Sequence, residues 1–134
     1  MKAIQLITVL IFLAITTVGF QSCSAQSDGK AKFVNIDQKT FQTKMNEKDV
    51  VVIDVRTPGE IEESYIKGAD LFINYNGNDF EKQINALDKN KKYIMYCRSG
   101  GRSSGAADYM VKNGFKEVYN LAGGISNYSG ETTK

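Results

Sequence analysis

Apolar residues are grouped in short clusters from residue 33 onward, and their spacing alternates between that of strands and that of helices. The compact clusters at 33–36, 50–53, 69–73, 93–96 and 117–121 predict five strands. The second of these runs is apolar at every position, which is typical of a strand buried on both faces of a parallel sheet. Such a sheet needs helices to cover it, and the intervening segments supply them.

Two helices are predicted in the first half of this region. After Asp37, a residue type that caps helix N-termini, Phe41 and Met45 lie four residues apart. Pro58 stands where a first helical residue is expected and opens a short second helix. That helix carries three carboxylates that we expect on a solvent-exposed face: Glu60, Glu62 and Glu63.

Two more helices are predicted in the second half. Asn78 and Glu81 have the spacing of a capping box, which predicts the start of the third helix. The fourth runs from residue 102 to about residue 113, where Gly114 is a typical C-terminal stop. Strands and helices therefore alternate, which predicts an α/β fold with a mainly parallel central sheet of about five strands and helices on both faces.

Composition narrows the classes of function. The 134 residues suffice for one ordinary domain. The net charge is +2 and the two signs are interspersed, so we expect no nucleic-acid partner. The sequence contains no histidine, which excludes Cys-His and Ser-His catalysis and the histidine-containing zinc and iron sites. We expect neither a metal nor a cofactor.

The N-terminal segment predicts export. A short basic start precedes the charge-free and strongly apolar stretch 4–20, which has the character of a signal sequence. Cys23 follows the small residue Ser22, an order that resembles the lipid-attachment point of bacterial lipoproteins. Cys23 is therefore the predicted site of lipid attachment.

These features divide the chain into three predicted parts. Residues 1–22 are the lipoprotein signal peptide, residues 23–32 a flexible linker, and residues 33–134 the folded domain. The lipid anchor would hold the domain at a membrane, either in the periplasm or at the outer membrane. Two alternatives stay open, an uncleaved membrane anchor and a signal peptide cleaved near Ala25 without lipidation, and both also export the chain.

The candidate chemistry is concentrated in one loop between the strand at 93–96 and the fourth helix. Seven consecutive residues form it: Cys97, Arg98, Ser99, Gly100, Gly101, Arg102 and Ser103. A thiol attacks as its thiolate, and a concave array of backbone N–H groups, which the two glycines permit, stabilises an anion. The helix N-terminus, the two arginines and the serine hydroxyls act in the same direction. We predict that the cysteine is an activated nucleophile.

This loop, Cys97-Arg-Ser-Gly-Gly-Arg-Ser103, resembles the active-site loop of the rhodanese family of sulfurtransferases. The segments 54–60, 65–69 and 121–124 resemble three further motifs of that family, and Tyr128 stands where a tryptophan is common. The resemblance extends over residues 33–128. Ser64 and Tyr65 replace the usual Gly-His pair.

The resemblance implies a reaction and its partners. The cysteine would take sulfane sulfur from a small donor such as thiosulfate, hold it as a persulfide, and pass it to cyanide, a thiol or a thioredoxin-like protein. The other six residues of the loop, 98–103, would bind substrate. The loop runs six residues from Cys97 to Arg102, whereas related phosphatases use one residue more, so its length favours sulfur over phosphate. A non-enzymatic sulfur carrier or docking domain and a phosphatase or arsenate reductase on the same scaffold are the alternatives.

Asp54 and Arg56 follow the end of a predicted strand and are candidate supporting residues. A structural ion pair that clamps the neighbouring loop is the favoured role, since such pairs are common scaffolding. Approach of the guanidinium to the mouth of the site is the alternative.

Overall fold

The computed structural model of the protein describes residues 32–134. The predicted signal peptide, Cys23 and nearly all of the predicted linker lie outside the described residues. Within residues 32–134, no helix is long and apolar enough to cross a membrane.

Strands and helices alternate along the described chain. In order they are β1 (Val34–Ile36), α1 (Gln38–Lys44), β2 (Val50–Asp54), α2 (Pro58–Glu63), β3 (Tyr65–Ile66), β4 (Leu71–Phe72), α3 (Phe80–Asn85), β5 (Lys92–Tyr96), α4 (Gly101–Lys112), β6 (Glu117–Leu121), a 3-10 helix (Ile125–Asn127) and β7 (Thr132–Thr133).

Five of the strands form one parallel sheet in the order β1-β6-β5-β2-β4. The central pairing aligns Val52 with Ile94, and Ile94 with Tyr119 on the other side. Because all five strands are parallel, their carboxyl ends share one edge of the sheet, where ligands bind in folds of this type.

The sheet is covered on both faces. On one face Ile53 and Met95 pack with side chains from α3 and α4, including Ile84 and Met110. On the opposite face Val52, Ile94 and Tyr96 pack with Phe41 of α1 and with Leu121. Val52 and Ile53 are fully buried, as the apolar run in β2 predicts. The predicted fold class, a parallel α/β sheet of five strands with helices on both faces, is confirmed.

Two details differ from the sequence predictions. The capping box at Asn78 and Glu81 is wrong, because α3 begins at Phe80 and Asp79 precedes it without a side-chain cap. The second difference is a small antiparallel sheet of β3 and β7, which no pattern predicted. Its strands have two residues each, too few to show a period of two in the sequence.

Candidate active site

Cys97 lies at the carboxyl edge of the sheet, directly after β5 and four residues before α4 begins. The residue is 1% exposed. The chain reverses at Gly100, whose φ of 107° is unfavourable for any residue with a Cβ. This turn brings the first turn of α4 over the sulfur, so the thiol faces the helix N-terminus.

Two hydrogen bonds end on the Cys97 sulfur. The N–H of Gly100 donates to Sγ at 3.1 Å, and the hydroxyl of Ser103 donates at 3.3 Å. Burial acts to raise the pKa of the Cys97 thiol, but these hydrogen bonds, with further backbone N–H groups of Ser103 and Ser99, outweigh burial. The net effect is a pKa below the ordinary value of a cysteine, which favours the thiolate.

The loop that follows β6 is hydrogen-bonded to the active-site loop. The N–H of Ile125 donates to the carbonyl of Cys97 at 2.9 Å, and the N–H of Ser126 donates to the carbonyl of Arg98 at 3.0 Å. Gly124 allows this approach, because a Cβ at that position would overlap the backbone of Arg98. The two loops therefore form one hydrogen-bonded unit.

The two arginines of the loop share one carboxylate. Arg102 binds Glu60 in a bidentate pair, with nitrogen–oxygen distances of 2.7 Å and 2.8 Å. The Nε of Arg98 lies 3.5 Å from the same carboxylate, on a side chain that is 64% exposed. Placing Glu60 on a solvent-exposed face was wrong, since its side chain is only 18% exposed and closes against the active-site loop.

The contacts of Glu60 should make the free energy of unfolding depend on pH. The hydrogen bonds from Arg102 lower the pKa of Glu60 from 4.5 to about 2, although burial opposes them. A depressed carboxyl pKa stabilises the fold above pH 4.5 and loses that contribution as the pH falls toward 2. We expect Glu60→Gln to lower the free energy of unfolding by up to about 3 kcal/mol near neutral pH.

Urea unfolding of both proteins at about pH 6 and about pH 3 checks this. The difference in the free energy of unfolding should shrink by about 1.4 kcal/mol for each pH unit below 4.5. If the two proteins differ by the same free energy of unfolding at both pH values, the ion pair with Arg102 does not lower the pKa of Glu60.

Asp54 and Arg56 form a buried ion pair at the end of β2. The shortest contact, from Nη2 of Arg56 to Oδ2 of Asp54, is 2.6 Å, and Nε binds both carboxylate oxygens. The guanidinium also donates to the carbonyl of Ser64 at 2.7 Å. The phenol of Tyr96 accepts a hydrogen bond from Ile66 at 3.0 Å, so the segment after α2 is fixed from two sides.

The remaining predicted loop residues lie at the mouth of the site. Ser99 and Gly101 are exposed, whereas Gly100 and Ser103 are buried beneath them. Within residues 32–134, no group of three or more His, Cys, Asp or Glu side chains has an arrangement that could hold a metal ion.

Comparison with known proteins shows to which family the sequence belongs. The sequence matches the rhodanese-like domain family over residues 37–131. The chain belongs to this family. Among solved structures, the rhodanese-like domain protein from Staphylococcus aureus superposes with a TM-score of 0.63 at 28% identity, covering 74% of this chain and 94% of that one.

Sulfurtransferases are among the relatives of this rhodanese-like domain. The thiosulfate sulfurtransferase GlpE of Pseudomonas fluorescens is 34% identical over 94 residues, covering 67% of this chain and 84% of that protein. The tRNA uridine(34) hydroxylase of Pelagibacter ubique is 38% identical over 94 residues, covering 70% of this chain and 31% of that protein. The chain therefore spans about a third of the length of that hydroxylase.

Three residues of the rhodanese-like site lay outside the predicted set. Glu60 arrives from α2, Ser104 from the first turn of α4, and Asn120 from β6, where it is 2% exposed. A signal for Asn120 existed in the sequence. It is the one amide in the run 118–121, whose other residues are Val, Tyr and Leu.

Proposed function

We propose that the protein is a sulfurtransferase that carries sulfane sulfur as a persulfide on Cys97. The observation that carries the proposal is a buried sulfur that accepts hydrogen bonds from the Gly100 N–H and the Ser103 hydroxyl. Both donors favour the thiolate, and the loop has no second thiol with which Cys97 would form a local disulfide.

Thiosulfate is the proposed donor, and the reaction has two steps. The Cys97 thiolate attacks the outer sulfur of thiosulfate, the sulfur–sulfur bond of the donor breaks, and sulfite leaves with the bonding electron pair. A nucleophile such as cyanide then attacks the outer sulfur of the persulfide. The bond to Cys97 breaks, thiocyanate leaves, and the thiolate is restored.

The loop residues have proposed roles in these steps. Arg98 and Arg102 present cationic groups at the mouth, where an anionic donor such as thiosulfate arrives. Backbone N–H groups of Ser99, Gly100 and Ser103 act on the Cys97 sulfur, and their proposed role is to stabilise the outer sulfur as well, which carries negative charge in a persulfide. Similarity to GlpE over most of both chains supports thiosulfate as the donor.

Asp54 and Arg56 are proposed to support the site from outside the reacting atoms. Their ion pair fixes the carbonyl of Ser64 at the end of α2. The same helix carries Glu60, which binds both loop arginines. The pair therefore contributes to the site through α2.

We also propose that the domain works outside the cytoplasm, lipidated on Cys23 and anchored to a membrane in the periplasm or at the outer membrane. The apolar stretch 4–20 followed by the Ser22–Cys23 step supports this. A thiol or a thioredoxin-like protein of that compartment is the proposed acceptor, because Cys97 has no resolving thiol in its own loop.

Intact mass spectrometry of native protein tests both proposals in one measurement. After incubation with thiosulfate, we expect a gain of one sulfur atom on Cys97 that cyanide removes. The N-terminus is expected at a diacylated and N-acylated Cys23.

Each other outcome points to a different conclusion. A stable persulfide that no acceptor discharges would indicate a sulfur carrier instead of an enzyme. No added sulfur from any sulfane donor would contradict the proposal. Hydrolysis of an aryl phosphate that vanadate blocks would favour a phosphatase. An unmodified Cys23, or a chain that keeps residues 1–22, would contradict the lipid anchor.

A further inference from the structure

Three donors lie within hydrogen-bond distance of the Gly100 carbonyl oxygen, one more than it has lone pairs. The N–H of Ser104 donates at 3.0 Å and its hydroxyl at 2.6 Å, and the hydroxyl of Ser103 lies at 3.2 Å. A carbonyl oxygen has two lone pairs. Ser104 alone therefore satisfies this carbonyl, through its backbone and its side chain.

The hydroxyl of Ser103 has two acceptors within reach and one proton to donate. Its oxygen lies 3.3 Å from the Cys97 sulfur and 3.2 Å from the Gly100 carbonyl. A serine hydroxyl donates one hydrogen bond at a time. Because Ser104 already satisfies the carbonyl, the proton of Ser103 is left for the sulfur.

Asn120 determines in which direction the Ser104 hydroxyl points. The Nδ2 of Asn120 donates to the Ser104 oxygen at 3.0 Å and to Oδ1 of Asn35 at 2.8 Å. Since Ser104 accepts from this side, its own proton must point elsewhere. The nearest acceptor is the Gly100 carbonyl, at 2.6 Å.

We propose that Asn120 and Ser104 are positioning residues that commit the Ser103 hydroxyl to the Cys97 sulfur. The order of donation runs from Asn120 to Ser104, from Ser104 to the Gly100 carbonyl, and from Ser103 to Cys97. Within residues 32–134, no hydrogen bond joins either positioning residue to the sulfur. This inference rests on the proposed function, since it assigns the network a task in maintaining the reactive thiolate.

A second observation at Asn120 supports a role beyond stability. Its Oδ1 is buried and has no hydrogen-bond partner in the described part of the chain. A buried polar atom without a partner destabilises the folded state relative to an apolar side chain at the same place. An amide at this position is therefore better explained by the two donors of Nδ2 than by a contribution to the core.

The charged groups of the active-site loop, of α2 and of the end of β2 are held by separate contacts. They are Arg98, Glu60, Arg102 and the ion pair of Asp54 with Arg56. Within residues 32–134, no hydrogen bond or ion pair joins any of them to Ser104 or Asn120. We therefore expect substitution of these two residues to leave that charge arrangement in place.

The pH dependence of Cys97 alkylation by iodoacetamide tests the proposal on the full chain. Tryptic peptide 93–98 contains Cys97, so its modification is read separately from that of Cys23. With Ser104→Ala, we expect alkylation about threefold to tenfold slower at pH values below the thiol pKa and unchanged at high pH. Ser104→Thr retains the hydroxyl and is the matched control, with the wild-type profile.

A double-mutant cycle separates positioning from general disruption. In the Ser103→Ala background the proton to be positioned is gone, so Ser104→Ala should have no further effect. As a single substitution, Asn120→Ala should slow alkylation. In the Ser104→Ala background it should have no further effect. Unfolding in urea should show each variant folded under the assay conditions.

Additive effects of the Ser103 and Ser104 substitutions, or an unchanged profile for Ser104→Ala, would overturn the proposal. A change confined to the high-pH plateau would also overturn it, because that plateau reports access to the thiol. No sulfur donor enters this measurement. A protein that fails to transfer sulfur could therefore still show the predicted cycle, and the two proposals fail separately.

Discussion

Cys97→Ser is expected to lower thiosulfate-dependent transfer to cyanide by at least about a thousandfold. A serine hydroxyl ionises far above neutral pH and does not form a persulfide, so the first step of the proposed reaction is lost. The serine oxygen takes the place of the sulfur to which the Gly100 N–H and the Ser103 hydroxyl donate, so we expect the fold to persist. Thiocyanate formation at saturating thiosulfate is the measurement.

The second cysteine of the chain supplies the control. Cys23→Ser removes the predicted lipid-attachment site but leaves Cys97 in place, so transfer in detergent solution should stay at the wild-type level. Residual transfer in Cys97→Ser close to that of the wild type would place the sulfur carrier elsewhere and would contradict the proposed function.

Arg56→Leu is expected to lower the free energy of unfolding by about 3–5 kcal/mol. Asp54 is 0% exposed and Arg56 5% exposed, so removing the guanidinium leaves a buried carboxylate without its partner. The carbonyl of Ser64 loses its donor as well. Urea unfolding monitored by circular dichroism measures the change.

Two comparisons test the cause of this loss. Adding Asp54→Asn to Arg56→Leu removes the buried charge, so the double variant should be more stable than Arg56→Leu alone. The exposed ion pair of Lys67 with Glu131, at 2.8 Å, is the matched surface case, and Lys67→Ala should change stability little. Equal losses from Arg56→Leu and Lys67→Ala would contradict a special role for burial.

Residue type and local spacing predicted most of the elements. The buried strand β2, the Asp37 cap, the end of α4 at Gly114 and strand β6 all agree with the sequence predictions. Each depends on neighbours within a few positions, where periodicity and capping preferences act. The capping box at Asn78 was wrong because the following residue, Asp79, precedes the helix instead.

The candidate site was predicted less completely. Segment 97–103 was identified because its glycines and its thiol are adjacent in the sequence, and Gly100 adopts the positive φ that such a turn requires. The electrostatic reasoning gave the two arginines a direct part in activating the thiol. Both contact Glu60, and the hydrogen bonds that lower the Cys97 pKa come from Ser103 and from backbone N–H groups.

Local patterns in the sequence were enough to predict the order of the four helices and of the five main-sheet strands, the parallel sheet, and a thiol at its carboxyl edge. These follow from local periodicity and from the rule that parallel strands end at a shared edge. The surroundings of the thiol depend on long-range packing: Glu60 meets Arg102 across 42 positions, and Asn120 meets Ser104 across 16. Contacts between distant positions depend on how helices and strands pack, and they leave no periodic pattern in the sequence from which they could be predicted.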